Sequence, residues 1–239
     1  MMRPIVLYTM PRSKSTPAMQ ACLRTIDLGE AWKPKKFISH SEIPSGDQNI
    51  DHMVTDDQIK AVLDKIDLPD TKVKIIGHQV ARLSRSVEWW SAAQAAQKHE
   101  IYVLERDYRT CLHSWLLAEH FGYFKDTERS DRNIIATDYH VKCVKLLLEN
   151  HCRFYPVRGF RITWDALPAT DFSKYNVTMV DQDSLYRLKL VKNLDWWQGE
   201  IDKLLKELHP SLDACRDSLP AWHDHAVSIL RGQQHDQGE

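Results

Sequence analysis

The chain has 239 residues, of which 43% are hydrophobic and 27% charged, which allows one large domain with a proper core. A formal net charge of −1 leaves no broad basic field for duplex nucleic acid, so any anion site must be local. The five cysteines are scattered with no Cys-x-x-Cys pair, which argues for reduced thiols, and no apolar run reaches the roughly 18 residues that a membrane span needs. The first strand begins almost at Met1, so no signal peptide fits and a cytoplasmic protein is expected.

Ile5 to Thr9 reads as a buried strand that Pro11 brings to an end, because proline lacks a backbone donor and fixes its own φ. Arg12, Ser13, Lys14, Ser15 and Thr16 come next, and a helix is predicted from Ser15 to Leu28 with Gly29 just past its end. Strand, short polar loop, helix is the build of an anion cradle: N–H groups at the helix start point outward and the dipole adds positive potential. Glu30 to Asn49 lacks periodicity and is read either as an irregular excursion beside the acceptor side of the site or as a solvated surface loop. Thr55 to Asp67 is predicted helical from its capping box, Thr55-x-x-Gln58. Val73 to Gly77 reads as a strand with His78 beyond its end, Ser84 to Lys98 as a helix, Ile101 to Leu104 as a strand, and Tyr108 to His120 as a helix.

Further on, Thr127 to His151 is predicted as one long helix, Gly159 to Trp164 as a late strand, and Asp183 to Leu208 as a helix, with Pro210 and Pro220 as breaks beyond it. Ala221 to Leu230 reads as one more helix before a polar tail. Strands alternating with helices predict an α/β fold, a parallel sheet with helices on both faces and a helical C-terminal extension. The organisation expected is one domain: a core of about 3–167, a helical part of about 183–231 and a tail of 232–239. Arg12, His78 and Arg106 all fall just past predicted strand ends, where such sheets bind ligands.

Two motifs carry a family resemblance. Pro11-Arg-Ser-Lys-Ser-Thr16 fails as a Walker loop, because Tyr8 and Ser13 stand where both glycines belong. It resembles instead the 5′-phosphosulfate loop of sulfotransferases, Pro-[Arg/Lys]-[Ser/Thr]-Gly-[Ser/Thr]-[Ser/Thr], with Lys14 replacing the glycine. The second motif is Arg106-Asp107 at a strand end with Ser114 eight positions after the arginine, as in the same family. Trp164-Asp-Ala-Leu167 is similar to the Tyr-Glu-Asp-Leu segment that closes a core strand there, with Trp164 in place of an adenine-contacting tyrosine. The resemblance runs over roughly Pro4 to Leu167 and lacks the family's late Arg-Lys-Gly and Gly-x-x-Gly-x-Trp elements, so the bacterial, viral or carbohydrate-modifying branches are the nearest in kind.

The resemblance implies a P-loop-like fold and a sulfotransferase that moves a sulfuryl group from 3′-phosphoadenosine 5′-phosphosulfate to a hydroxyl on a carbohydrate, lipid or small molecule, with no metal. Arg12, Ser13, Lys14, Ser15 and Thr16 would hold the 5′ end, Arg106 and Ser114 the 3′-phosphate, and Trp164 the adenine. Three residues stay open as the base: His78, through a Lys-x-x-x-His pattern, or Glu30 or Glu42. A guanidinium supplies a bidentate fork to phosphate, and an imidazole suits proton removal near neutral pH. Two other readings compete: a P-loop small-molecule kinase, and a degenerate nucleotide-binding module on the same fold. The acceptor and the oligomeric state are left open.

Overall fold

A computed structural model describes residues 3–13, 15–21, 24–44, 48–121, 133–163 and 190–221. In chain order its elements are β1 (Ile5–Thr9), α1 (Ser15–Ala21), β2 (Ile26–Glu30), α2 (Asp56–Ile66), β3 (Thr71–Ile75), α3 (Gly77–Val80), α4 (Ser84–Ala96), β4 (Glu100–Glu105), α5 (Tyr108–Phe121), α6 (Asp138–Arg153), β5 (Phe160–Thr163) and α7 (Leu194–Asp217). The five strands form one parallel sheet in the order β2-β3-β1-β4-β5. β1 lies at its centre, with Val6 opposite Val73 on one side and Ile101 on the other. Every residue of β1 is buried, as befits a strand covered on both faces, and its near-continuous apolar run makes it easy to read.

The edge of the sheet departs from the sequence reading. The first helix ends at Ala21, not Leu28, and Ile26–Glu30 is a strand. Its apolar content is low because it lies at the sheet edge and is held by polar pairing. Lys72 reaches Asp27 at 3.7 Å and Lys74 reaches Glu30 at 2.8 Å. Gly29 takes φ 56°, a conformation glycine adopts without strain, and its N–H donates to Asp27 at 2.8 Å. The irregular excursion after β2 is confirmed as short 3-10 turns, yet it is not merely a surface loop: Trp32, Phe37, Ile38 and Ile50 are buried.

Two helix starts also move. α6 begins at Asp138, because Ile134 is taken up in a parallel bridge to Val191, with Ile134 N–H donating to the Leu190 carbonyl at 2.7 Å. Thr137 then supplies the N-cap position. For the same reason α7 starts at Leu194, beyond Val191, and it runs on through Pro210 to Asp217; the expected start at Asp183 lies outside the described residues. An interior proline costs about 3 kcal/mol. Trp197, Ile201 and Leu204 before it and Leu212 after it are all buried, and burial of one large side chain contributes roughly 1.5–3 kcal/mol, so the apolar face outweighs the proline. Residues 122–132, 164–189 and 222–239 lie outside the described residues, and with them the expected helix after Ala221 and the polar tail.

Two cores result. One lies against the sheet under α2 and α4 and contains Tyr8, Trp32, Ile66, Trp89 and Trp90. The other is helical, with Leu112, Leu116, Leu148, Trp197 and Ile201 from α5, α6 and α7. They meet at His151, which is 2% exposed. Its ring stacks on Tyr8 with centroids 5.2 Å apart, and its Nε2 lies 3.3 Å from the Tyr108 hydroxyl. Close packing continues at Gly77, where an added Cβ would sit 2.6 Å from the Asn150 carbonyl oxygen, so α3 abuts α6 only because that residue has no side chain.

Burial, with Arg216 adding repulsion, lowers the His151 pKa to about 3. The unfolded chain binds that proton near pH 6.5. The contribution of neutral His151 to stability is therefore whole above about 6.5 and is lost as pH falls toward 3, by about 2 kcal/mol at pH 5. Urea unfolding of wild type and His151→Gln at pH 7 and pH 5 checks this. The variant is expected to lose about 2 kcal/mol less than wild type between the two; identical losses would contradict the assignment.

Candidate functional site

From β1 the chain crosses over β3 to reach β2, whereas from β4 it passes to β5 in the opposite direction. Neighbouring parallel strands whose connections diverge leave a crevice at their C-terminal ends. Here the crevice opens between Thr9, the last residue of β1, and Glu105, the last residue of β4. Just beyond those strand ends lie Met10–Ser13 and Arg106–Asp107, the two stretches that carry the sequence motifs.

Fully buried Thr9 fastens the first segment down. Its hydroxyl lies 3.2 Å from the Leu104 carbonyl and makes a short hydrogen bond with the Ser13 hydroxyl. Ser13 is 1% exposed, Ser15 is also buried at the start of α1, and Thr16 is exposed. Arg12 takes φ 65°, the left-handed region, which costs a residue with a side chain roughly 1–2 kcal/mol. The motif places the demand for positive φ at the missing glycine, Lys14. Among the described loop residues it falls on Arg12; Lys14 lies outside them, as does Trp164.

What holds the strained turn is the second motif. Arg106 Nη1 donates to the Arg12 carbonyl oxygen at 3.3 Å, and Arg12 Nε donates to the Ser114 hydroxyl at 3.1 Å. The resemblance assigns Arg12 to one end of a ligand and Ser114 to the other. The structure joins them through Arg12, whose side chain binds the Ser114 hydroxyl and whose backbone carbonyl accepts from the Arg106 guanidinium. Asp107, the partner of Arg106 in the motif, caps α5 instead: its Oδ2 accepts from the Thr110 N–H and hydroxyl, both at 2.7 Å. Burial alone would raise the Asp107 pKa, but these hydrogen bonds lower it on balance.

The three candidate bases differ sharply. Glu30, at the end of β2, receives Lys74 Nζ at 2.8 Å, the Gln79 amide at 2.8 Å and Lys33 Nζ at 3.4 Å. Burial pushes its pKa up, yet Lys74 and the other donors outweigh that and bring it down to about 2, and both of its oxygens are taken up by those donors. Glu42 is exposed and accepts from the Ser39 N–H and hydroxyl at a surface turn. His78 lies in α3, directly after β3. Burial, then Arg82, lower its pKa to about 3 while Glu30 opposes them, so its imidazole is neutral at pH 7. His78 Nδ1 is enclosed without a hydrogen-bond partner among the described residues. Of the three, His78 alone is neutral, deprotonated and uncommitted at that atom.

Sequence reading misses Thr9 and the Lys74–Glu30–Gln79 network. Thr9 carries a signal, a polar residue closing an apolar strand before a loop. The network carries none, because β2 itself goes unseen. Among the described residues no helix is long and apolar enough to cross a membrane, and no group of three or more His, Cys, Asp or Glu side chains is placed to hold a metal ion. Compared with protein-family models, curated proteins and solved structures, the chain matches none of them.

Proposed function

We propose that the crevice binds 3′-phosphoadenosine 5′-phosphosulfate and that the chain is a sulfotransferase with a P-loop-like fold, its helical C-terminal part supporting the crevice from behind. The observation that carries this reading is the Arg106–Arg12–Ser114 cluster. It joins the two motifs that resemble the family at the topological switch point of the sheet. Two guanidinium groups and a hydroxyl suit a terminal phosphate, whose oxygens accept charge-assisted hydrogen bonds. Ser13, Ser15 and Thr16 add hydroxyls at the start of α1, and Lys14 adds a cation to the same loop.

In the proposed reaction the acceptor oxygen attacks sulfur as the bond from sulfur to the 5′-phosphate oxygen breaks. The acceptor proton passes to His78, and adenosine 3′,5′-bisphosphate departs. The cations offset charge that grows on the leaving phosphate, and no metal is needed for that task. The acceptor is a hydroxyl of a carbohydrate, lipid or small molecule.

A transfer assay tests the reading. The protein is incubated with radiolabelled sulfuryl donor and a panel of sugars, sterols, long-chain alcohols and phenols, and in parallel with γ-labelled ATP and Mg²⁺. Label transferred from the sulfuryl donor alone is expected. Transfer from ATP alone would establish the kinase, and tight donor binding with no transfer to any hydroxyl would establish a degenerate binding module.

A further inference from the structure

Cys152 lies in the last turn of α6 and Cys215 in the last turn of α7, 63 positions later in the chain. Both carry free thiols and both are half-buried. The Cys215 thiol donates to the Cys152 carbonyl oxygen, with Sγ 3.7 Å from it, which sets the two residues side by side at the ends of α6 and α7. Nothing in the proposed transfer reaction uses them. Cys111 is buried among apolar side chains of the helical core, and Cys143 lies two turns before Cys152 on α6, so neither stands between the pair.

We propose that Cys152 and Cys215 are a reversible oxidation site, closing to an intramolecular disulfide when the protein meets hydrogen peroxide. The chemistry balances without further reagents. One of the two thiols, as its thiolate, attacks peroxide, giving a sulfenic acid and, with a proton, water. The other sulfur then displaces the sulfenic hydroxyl, forming the S–S bond and a second water, so two thiols lose two electrons and two protons in all. A sulfenic acid with a second thiol beside it is captured as a disulfide before it oxidises further.

The position of the pair gives the bond a consequence. Arg216 is next to Cys215 in the chain, and its Cζ lies 4.8 Å over the Tyr108 ring with its Nε 3.7 Å from Glu105. Glu105 ends β4 and immediately precedes Arg106. A bridge therefore pins α7 to α6 at the base of the crevice, and it also closes a long loop in the unfolded chain, which raises stability.

The test uses the full chain and needs no ligand. The reduced protein is treated with hydrogen peroxide, remaining thiols are blocked with N-ethylmaleimide, and the digest is read by mass spectrometry before and after dithiothreitol. Expected is one linked peptide pair containing Cys152 and Cys215, lighter by two hydrogens and separated by dithiothreitol. Alkylation of both cysteines after peroxide, conversion of either to sulfinic acid, or preferential pairing of either with a different cysteine would overturn the proposal. Thermal unfolding supplies a second arm on wild-type protein. The oxidised form is expected to melt several degrees higher than the reduced form and to return on reduction; an unchanged or lower Tm would mean that the native geometry does not accommodate the bond.

Discussion

Replacing His78 with alanine is expected to lower kcat by about 10²–10⁴, the usual contribution of a general base, while donor affinity stays near that of wild type. His78 directly follows β3 in α3, and β3 pairs with β1, whose end carries Arg12. Burial and Arg82 hold its pKa at about 3, so the free protein keeps the imidazole neutral across the whole neutral range, and a base this weak takes up a proton only with help from a neighbouring charge. Activity limited by this group is present above that pKa and lost below it. kcat/KM is therefore expected to show no inflection from His78 between pH 8 and about pH 4. When the proton arrives, Glu30 is the group placed to stabilise the imidazolium, since it is the one charge that raises the His78 pKa. A fall in kcat of less than about tenfold would remove His78 from the reaction and return the role to Glu30 or Glu42, whose glutamine variants belong in the same assay.

Arg106→Ala is expected to weaken adenosine 3′,5′-bisphosphate binding by about 1.5–3 kcal/mol, roughly 10- to 100-fold, the range for charge-assisted hydrogen bonds to phosphate. The structure adds a second, smaller effect. Arg106 also donates to the Arg12 carbonyl and so holds the left-handed turn of the loop. Adenosine 5′-monophosphate, which lacks the 3′ group, is therefore expected to lose about 1 kcal/mol, the net worth of one ordinary hydrogen bond. Titration calorimetry of both nucleotides against both proteins separates the two roles. Equal losses would mean that Arg106 acts only through the loop. A loss confined to the bisphosphate would mean that the loop stands without it.

The central strands are legible in the sequence because burial on both faces leaves runs such as Ile5–Tyr8 and Ile101–Leu104 almost without polar residues. α2 is legible from its cap: Thr55 accepts from the Gln58 N–H, and the Gln58 side chain returns to the Thr55 N–H at 2.9 Å. β2 is hidden because an edge strand carrying Asp27, Gly29 and Glu30 is specified by lysines on its neighbour, which no local pattern records. The starts of α6 and α7 are hidden by the Ile134–Val191 bridge, a pairing between residues far apart in the chain. The site divides in the same way. Each motif announces itself at a strand-to-helix junction, because strand end and helix start are local features. The bond between Arg12 and Ser114 spans 102 positions and arises only from the order of strands in the sheet. Likewise Glu30 looks as good a base as His78 until the fold brings Lys74 and Gln79 to it.

On the proposed function, the crevice between β1 and β4 recognises a nucleotide through its 3′-phosphate. Titration calorimetry with adenosine 3′,5′-bisphosphate, and separately with ATP and Mg²⁺, tests it most directly. Binding of the bisphosphate at least about tenfold tighter than ATP is expected, the equivalent of roughly 1.4 kcal/mol, with the preference lost in Arg12→Ala and in Arg106→Ala. Tighter binding of ATP, or a bisphosphate affinity that neither substitution changes, would contradict the assignment of this crevice.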